Sequence, residues 1–260
     1  MTTLDERISS LDTTLFAAIP SQTSEEDRKS LLLLQDCIRE RNEYVYLEIG
    51  SHLGGTIQPY FVDHHCKLIY SIDKRPELQP DERGKLYRYD NNSTERMLSN
   101  LAQAFPSIAQ QKITNFDSDA RDLSPSEIVE KPNLCFIDGE HTNTAVISDF
   151  MFCLKVSHPN AIIAFHDSGF VFQGINKIKQ YLSQNSVQFQ SIKLGGSVYA
   201  ILLNEAISFY AEKLKTLSID ESEYFRTASK KLWITRWKNR IKKYPKFHQF
   251  LLNSKKFLKV

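Results

Sequence analysis

Val45-Tyr46-Leu47-Glu48-Ile49-Gly50-Ser51-His52-Leu53-Gly54-Gly55-Thr56 decides how this chain folds. An apolar run ends in an acidic residue, and a glycine turn leads from it into a helix. That order describes a buried parallel strand whose C-terminal end opens onto a ligand pocket lined by backbone. Gly50 and Gly54 stand where a side chain would block a ligand's close approach, and Glu48 brings a carboxylate to the same rim. The turn is not the Gly-x-Gly-x-x-Gly of dinucleotide enzymes, because His52 holds the place of the middle glycine.

Outward from that turn, the pattern repeats as strand, turn and helix. Strands are expected at 44–49, 68–72, 111–116, 133–137, 160–166, 187–193 and 197–203, with helices near 55–64, 93–105, 142–157 and 170–184. Alternation of this kind implies right-handed crossovers and a mainly parallel sheet. Leu194-Gly195-Gly196 joins the last two strands as a hairpin, so one of them runs antiparallel. The fold class is therefore α/β: a doubly wound, seven-stranded, mainly parallel sheet closed by an antiparallel hairpin strand, with helices at both chain ends. Residues 3–18 and 24–42 read as two helices, the second capped by Ser24 with Asp27 in its first turn. The expected division is a helical segment 1–43, a Rossmann-like domain 44–204 and a helical basic tail 205–260. Residues 74–92, with Pro76, Pro80, Gly84 and Asn91-Asn92, form a long loop that is either a lid or a plain connection.

Composition narrows the class. The 260 residues are 41% hydrophobic and 25% charged, ordinary values for a soluble globular protein. No apolar stretch has the length of a membrane span, and the N-terminus lacks a basic-then-apolar leader, so a cytoplasmic location is expected. Cys37, Cys66, Cys135 and Cys153 show no Cys-x-x-Cys or zinc spacing and suit free thiols. The net charge of +2 hides an asymmetry: twelve of the 33 Lys and Arg, and none of the 31 Asp and Glu, fall between Arg226 and Val260.

In a parallel sheet the strand ends converge, and here each carries polar residues. The first gives Glu48, Gly50 and Ser51, and the second gives Asp73. Asp117-Ser118-Asp119-Ala120 follows the third, Asp138-Gly139-Glu140-His141 the fourth, and His166-Asp167-Ser168 the fifth. Singly, each acid reads equally well as a turn residue or a helix cap; Asp167-Ser168-Gly169, for instance, suits a cap. Asp138 and Asp167 would lie about 4.8 Å apart if their strands are neighbours, close enough to share one cation. His64-His65 reads as a solvated helix end.

The acidic-x-Gly-x-x-x-Gly turn resembles the first motif of class I S-adenosylmethionine-dependent methyltransferases. Together with Ser71-Ile72-Asp73, Phe136-Ile137-Asp138-Gly139-Glu140-His141 and Ile163-Ala164-Phe165-His166-Asp167, the sequence is similar to the subgroup containing macrolide-sugar O-methyltransferases and cephalosporin hydroxylase-like proteins, over residues 44–203. The resemblance implies S-adenosylmethionine as cofactor, bound by Glu48, Gly50, Ser51, Asp73, Asp119 and Asp138. Asp73 would take the ribose and Asp119 the adenine. It implies a divalent metal, usually magnesium, on Asp138 and Asp167, with Asp138 and His141 catalytic and His141 as the base. His166 stands where catechol-type relatives have Asp, and imidazole is a poor magnesium ligand. His166 therefore belongs to the candidate metal set with the metal's identity open, and it also reads as a residue that orients substrate or bonds a neighbouring loop.

The implied activity is O-methylation of a hydroxyl on a small molecule, sugar or glycan. Two other classes remain. Asp117-x-Asp119 matches the acidic pair of metal-dependent glycosyltransferases, and a non-catalytic adaptor would keep the fold and use the tail. Residues 228–243 place Trp233, Ile234, Trp237 and Ile241 on one face of a basic helix. Residues 226–260 would accordingly attach to an anionic membrane surface, with nucleic acid the less favoured polyanion. Packing on the acidic domain or on a second subunit, in a homo-oligomer, is the plainer reading.

Overall fold

Strand formation follows the apolar runs closely. In the computed structural model, which describes residues 2–41 and 43–242, β1 spans Tyr44–Ile49, β2 Cys66–Ile72, β3 Leu78–Pro80, β4 Leu86–Arg88, β5 Ile113–Phe116, β6 Leu134–Ile137, β7 Ile162–Phe165, β8 Phe189–Lys193 and β9 Tyr199–Leu203. Seven of these form one sheet in the order β5-β2-β1-β6-β7-β9-β8, with β9 antiparallel to both neighbours and the other contacts parallel. The expected fold class is met, and β9 is the strand that reverses.

The helices are α1 Leu4–Ser9, α2 Glu25–Arg39, α3 Gln58–Val62, α4 Thr94–Ala104, α5 Asn143–Val156, α6 Ser168–Gln184, α7 Ala206–Leu214 and α8 Glu221–Lys242. The expected helix at 3–18 is broken: α1 ends near Leu11, whose φ is 57°, and a 3-10 turn follows at Thr13–Phe16. The 74–92 loop contains the antiparallel hairpin β3–β4, too short and too polar to announce itself by alternation.

β1 shows how the period of two builds the layers. Tyr44 and Tyr46 point into the core shared with α1, α2, α3, α4 and α7. Val45, Leu47 and Ile49 point into the core shared with α5 and α6. All six β1 residues are buried, and truncating one such aliphatic side chain to Ala costs about 2–5 kcal/mol. α2 starts with a capping box between Ser24 and Asp27, worth about 1 kcal/mol. Asp27 does a second job, because its Oδ1 accepts the Ser197 N–H in the β8–β9 turn at 2.6 Å.

The ladder runs one residue past each central strand. Gly50 N–H donates to Ile72 O, Asp73 N–H to Phe116 O, Asp138 N–H to Ile49 O and His166 N–H to Ile137 O, at 2.8–3.0 Å. Four residues that carry the site are thus fixed by the sheet itself rather than by loops.

Toward the C-terminus, Leu232 and Ile241 of α8 are buried whereas Trp233 and Trp237 are 66% and 49% exposed. The single apolar face expected for this helix is therefore split, and residues 243–260 of the expected tail lie outside the described residues. The four cysteines are buried and unpaired. No helix among the described residues is long and apolar enough to cross a membrane.

Candidate active site

Two connected clefts open over the C-terminal ends of β1, β2, β6 and β7. The larger holds about 690 Å³ and is lined by Gly50, Ser51, Asp73, Asp138, His141, His166 and Asp167. The smaller, about 350 Å³, continues past Gly50 and Asp73 to Ser118, Asp119, Glu140 and Asp149. The two are continuous, since Gly50, Asp73 and Gln79 line both. Gly50 has a φ of 92°, and a Cβ there would collide with the Asp138 carbonyl, so glycine is required by the crossing of two backbones. That reason differs from the expected one of clearing space for a ligand. His52, Arg75 and Asp167 also adopt left-handed φ of 45–50° around this rim, and such backbone conformations gather at functional sites.

The larger cleft contains a chain of alternating charges. His166 Nδ1 lies 2.9 Å from Asp138 Oδ1, and its Nε2 faces Asp27 Oδ2 at 3.3 Å, near enough for attraction but outside hydrogen-bond geometry. His141 Nε2 is 3.4 Å from Asp138 Oδ1 and its Nδ1 is 3.3 Å from Asp167 Oδ2. Burial alone would lower the affinity of His141 for a proton, but Asp138 and Asp167 outweigh it and raise the group above its ordinary value. Burial likewise opposes a charged His166, and Asp138 and Asp27 raise it well above the usual imidazole range. Asp138, despite burial, is held down to about 2 by His166 and His141. Asp167 heads α6 without capping it, so its carboxylate is free for His141.

The other expected residues fall differently. Glu48 does not reach either cleft. It shares the parity of Tyr46, lies fully buried and accepts hydrogen bonds from the Tyr46 and Thr56 hydroxyls. Burial pushes its carboxyl up to about 8 against those two donors. Asp73 lines both clefts and accepts the N–H groups of His52 and Arg75 at 2.9 and 2.8 Å. Ser51 contributes a buried hydroxyl with no partner among the described residues. Asp119 sits at the smaller cleft, but Arg121 grips both of its oxygens and holds it down to about 2. Asp117 is likewise engaged by Thr94 and Arg75, which leaves no free acidic pair for a nucleotide-sugar metal.

Sequence reasoning missed several contributors. Asp27, read as a capping acid, braces His166 from α2. Pro20, Ser21 and Gln22 form one wall, and Gln79, Tyr89 and Asn92 bring the 74–92 segment over the cleft. Proline and glycine spacing in that segment was the available signal. Nothing in the first 24 residues marked the other wall.

Residues 47–168, from within β1 to the start of α6, match the family described as a methyltransferase domain. Among solved structures, the O-methyltransferase NovP is 11% identical with a TM-score of 0.52, covering 68% of this chain and 78% of its own. Cofactor-bound Rv0187 from MTB is 13% identical with a TM-score of 0.51, covering 75% of this chain and 88% of its own. The O-methyltransferase TomG from Streptomyces achromogenes, in complex with SAM, is 17% identical with a TM-score of 0.49, covering 78% and 91%. No curated protein matches the chain. Residues 47–168 thus match a methyltransferase domain, a kind of domain whose methyl donor is S-adenosylmethionine.

The residues present suit that cofactor. An unpartnered Ser51 hydroxyl and the polar rim at Gly50 and Asp73 face the larger cleft, with a second polar recess adjoining it. They suit a divalent metal poorly. Both nitrogens of His166 face carboxylates, Asp138 Oδ1 is shared by two imidazoles, and His166 is itself the cation. The expected donors Asp138, Asp167 and His166 are instead engaged in ion pairs with one another and with His141 in this structure. Among the described residues, Asp5, His64 and His65 do bring ligand atoms within 4.8 Å of one another, but at the N-terminal ends of β1 and β2, away from the clefts, and with Asp5 paired to Arg39.

Proposed function

We propose that the chain is an S-adenosylmethionine-dependent O-methyltransferase acting on a hydroxyl of a small molecule, sugar or glycan, with His141 as general base. The observation that carries this reading is the Asp138–His141–Asp167 arrangement at the mouth of the larger cleft. When bound, S-adenosylmethionine supplies an electrophilic methyl group. Gly50, Ser51 and Asp73 would hold it, with Asp138 beside them. His141 takes the acceptor's proton, and the two carboxylates that flank its ring stabilise the imidazolium that results, as in other carboxylate-supported histidine bases. His166, clamped by Asp27 and Asp138, fixes the Asp138 carboxylate in place and provides the positive charge that relatives obtain from a metal. The Pro20–Gln22 and 79–92 walls position the acceptor and exclude water.

Incubation with methyl-labelled S-adenosylmethionine and a panel of sugar and phenolic hydroxyls tests the activity. A product heavier by one methylene, lost in the His141→Ala variant, is expected; no transfer to any hydroxyl, with transfer to nitrogen or sulfur acceptors instead, would refute it.

For the basic helix, we infer attachment to an anionic membrane surface through Trp233 and Trp237, exposed beside Arg226, Lys230, Lys238 and Arg240. Vesicles rich in phosphatidylserine should bind the wild-type chain and lose the Trp233→Ala/Trp237→Ala variant; equal binding of both would exclude this surface.

A further inference from the structure

The smaller cleft contains a carboxyl whose position the fold does not explain. Asp149, on the second turn of α5, is 6% exposed and lines the cleft with Ala120, Gly139 and Ala145. Ala145 precedes it by one helical turn, so a small residue lies directly before it on that face. Gly139 keeps the adjoining space open as well, since a Cβ there would stand 3.5 Å from Asp149 Oδ2. Among the described residues no N–H or O–H group donates to this carboxyl. Its oxygens are not sealed in the core but open into the cleft, where a bound ligand reaches them. Asp119, the acid that the family resemblance implies for this role, already has both oxygens on Arg121.

We infer that the Asp149 carboxyl reads the Watson–Crick edge of the cofactor's adenine, accepting from the N6 amine and donating to N1. The inference rests on the methyltransferase reading above. Adenine presents a donor beside an acceptor, and a neutral carboxyl presents the complementary acceptor and donor in one plane. An ionised carboxylate has no proton to give N1 and repels its lone pair. Burial, with Asp119 and Glu140 nearby, pushes Asp149 up to about 7, while Lys74 and Arg121 pull it the other way. The neutral form is therefore accessible at neutral pH, and adenine favours it further.

Calorimetric titration of S-adenosylhomocysteine between pH 6 and pH 8.5 tests the role, with thermal melts confirming that each variant is folded. Wild-type affinity should fall about tenfold as the pH rises past 7 and Asp149 ionises. Asp149→Asn, whose amide offers both an oxygen and an N–H, should bind within about threefold of wild type at pH 6 and show no comparable decline. Asp149→Ala should bind about tenfold more weakly at pH 6, the loss expected for one buried hydrogen-bonded pair. Unchanged affinity in Asp149→Ala, or the same pH decline in Asp149→Asn, would overturn the role while leaving the methyltransferase reading intact. Absence of binding by the wild-type chain at every pH would overturn that reading and this inference with it.

Discussion

Glu48 and Asp138 lie at the ends of adjacent parallel strands, and both carboxylates are buried or nearly so, yet they behave oppositely. Glu48 has only hydroxyl donors and is pushed up to about 8. Asp138 has two imidazoles and is held down to about 2. The difference teaches that a strand-end acid is defined by what faces it and not by its place in the sequence. Desolvation neutralises a carboxyl in a hydrophobic layer, whereas the same desolvation strengthens an ion pair when cations are built in alongside. One acid becomes part of the core and the other becomes the pivot of a reactive cluster.

The largest effect expected is at Asp138. Asp138→Ala removes the shared partner of His141 and His166 and should reduce kcat/KM by about a thousandfold or more, at the upper end of what positioned acid–base groups contribute. Steady-state kinetics on the labelled-methyl assay measures it, and a loss below tenfold would make Asp138 as inert as Glu48. Next comes pH. His141 must be neutral to accept a proton, and its affinity for protons is raised, so kcat/KM should rise with pH and level off only above a pKa higher than 6.5. A profile already flat at pH 6 would mean another group is the base.

Glu48 supplies the opposite arm. Burial raises its pKa in the folded state to about 8, above the ordinary 4.5, so the native state holds a proton that the unfolded chain releases. Stability from this group is complete below pH 4.5 and declines as pH rises through 8. Glu48→Gln should therefore melt a few degrees higher than wild type at pH 8.5, converge with it at acid pH, and keep kcat/KM within about twofold. Equal melting curves at pH 8.5 would break the contrast with Asp138. The smallest effect should come from chelation: with His166 acting as the cation, exhaustive EDTA treatment should change turnover less than about twofold, and full restoration of a lost activity by magnesium would return the metal to Asp138.

Much of this was legible in the residues. Apolar runs placed the seven strands of the main sheet within a few residues, because buried parallel strands need uninterrupted hydrophobic sequence. Asp73, Asp138, His141, His166 and Asp167 do meet, because strand ends in such a sheet must converge. Alternation along β1 also contained the fate of Glu48, which shares a face with Tyr44 and Tyr46, but its nearness to Gly50 drew attention instead. What could not be read was long-range pairing. Asp27 and His166 are separated by most of the domain, Asp119 is engaged by its near neighbour Arg121, and Asp149 looks like any polar residue of an amphipathic helix until α5 is laid beside the smaller cleft.

The account stands on two adjoining clefts acting as one cofactor site, and titration of S-adenosylhomocysteine into the wild-type chain at pH 7 tests that most directly. A saturable one-to-one heat, displaced by S-adenosylmethionine, is the predicted result. No heat at millimolar ligand, from a chain shown to be folded by its melting transition, would contradict it.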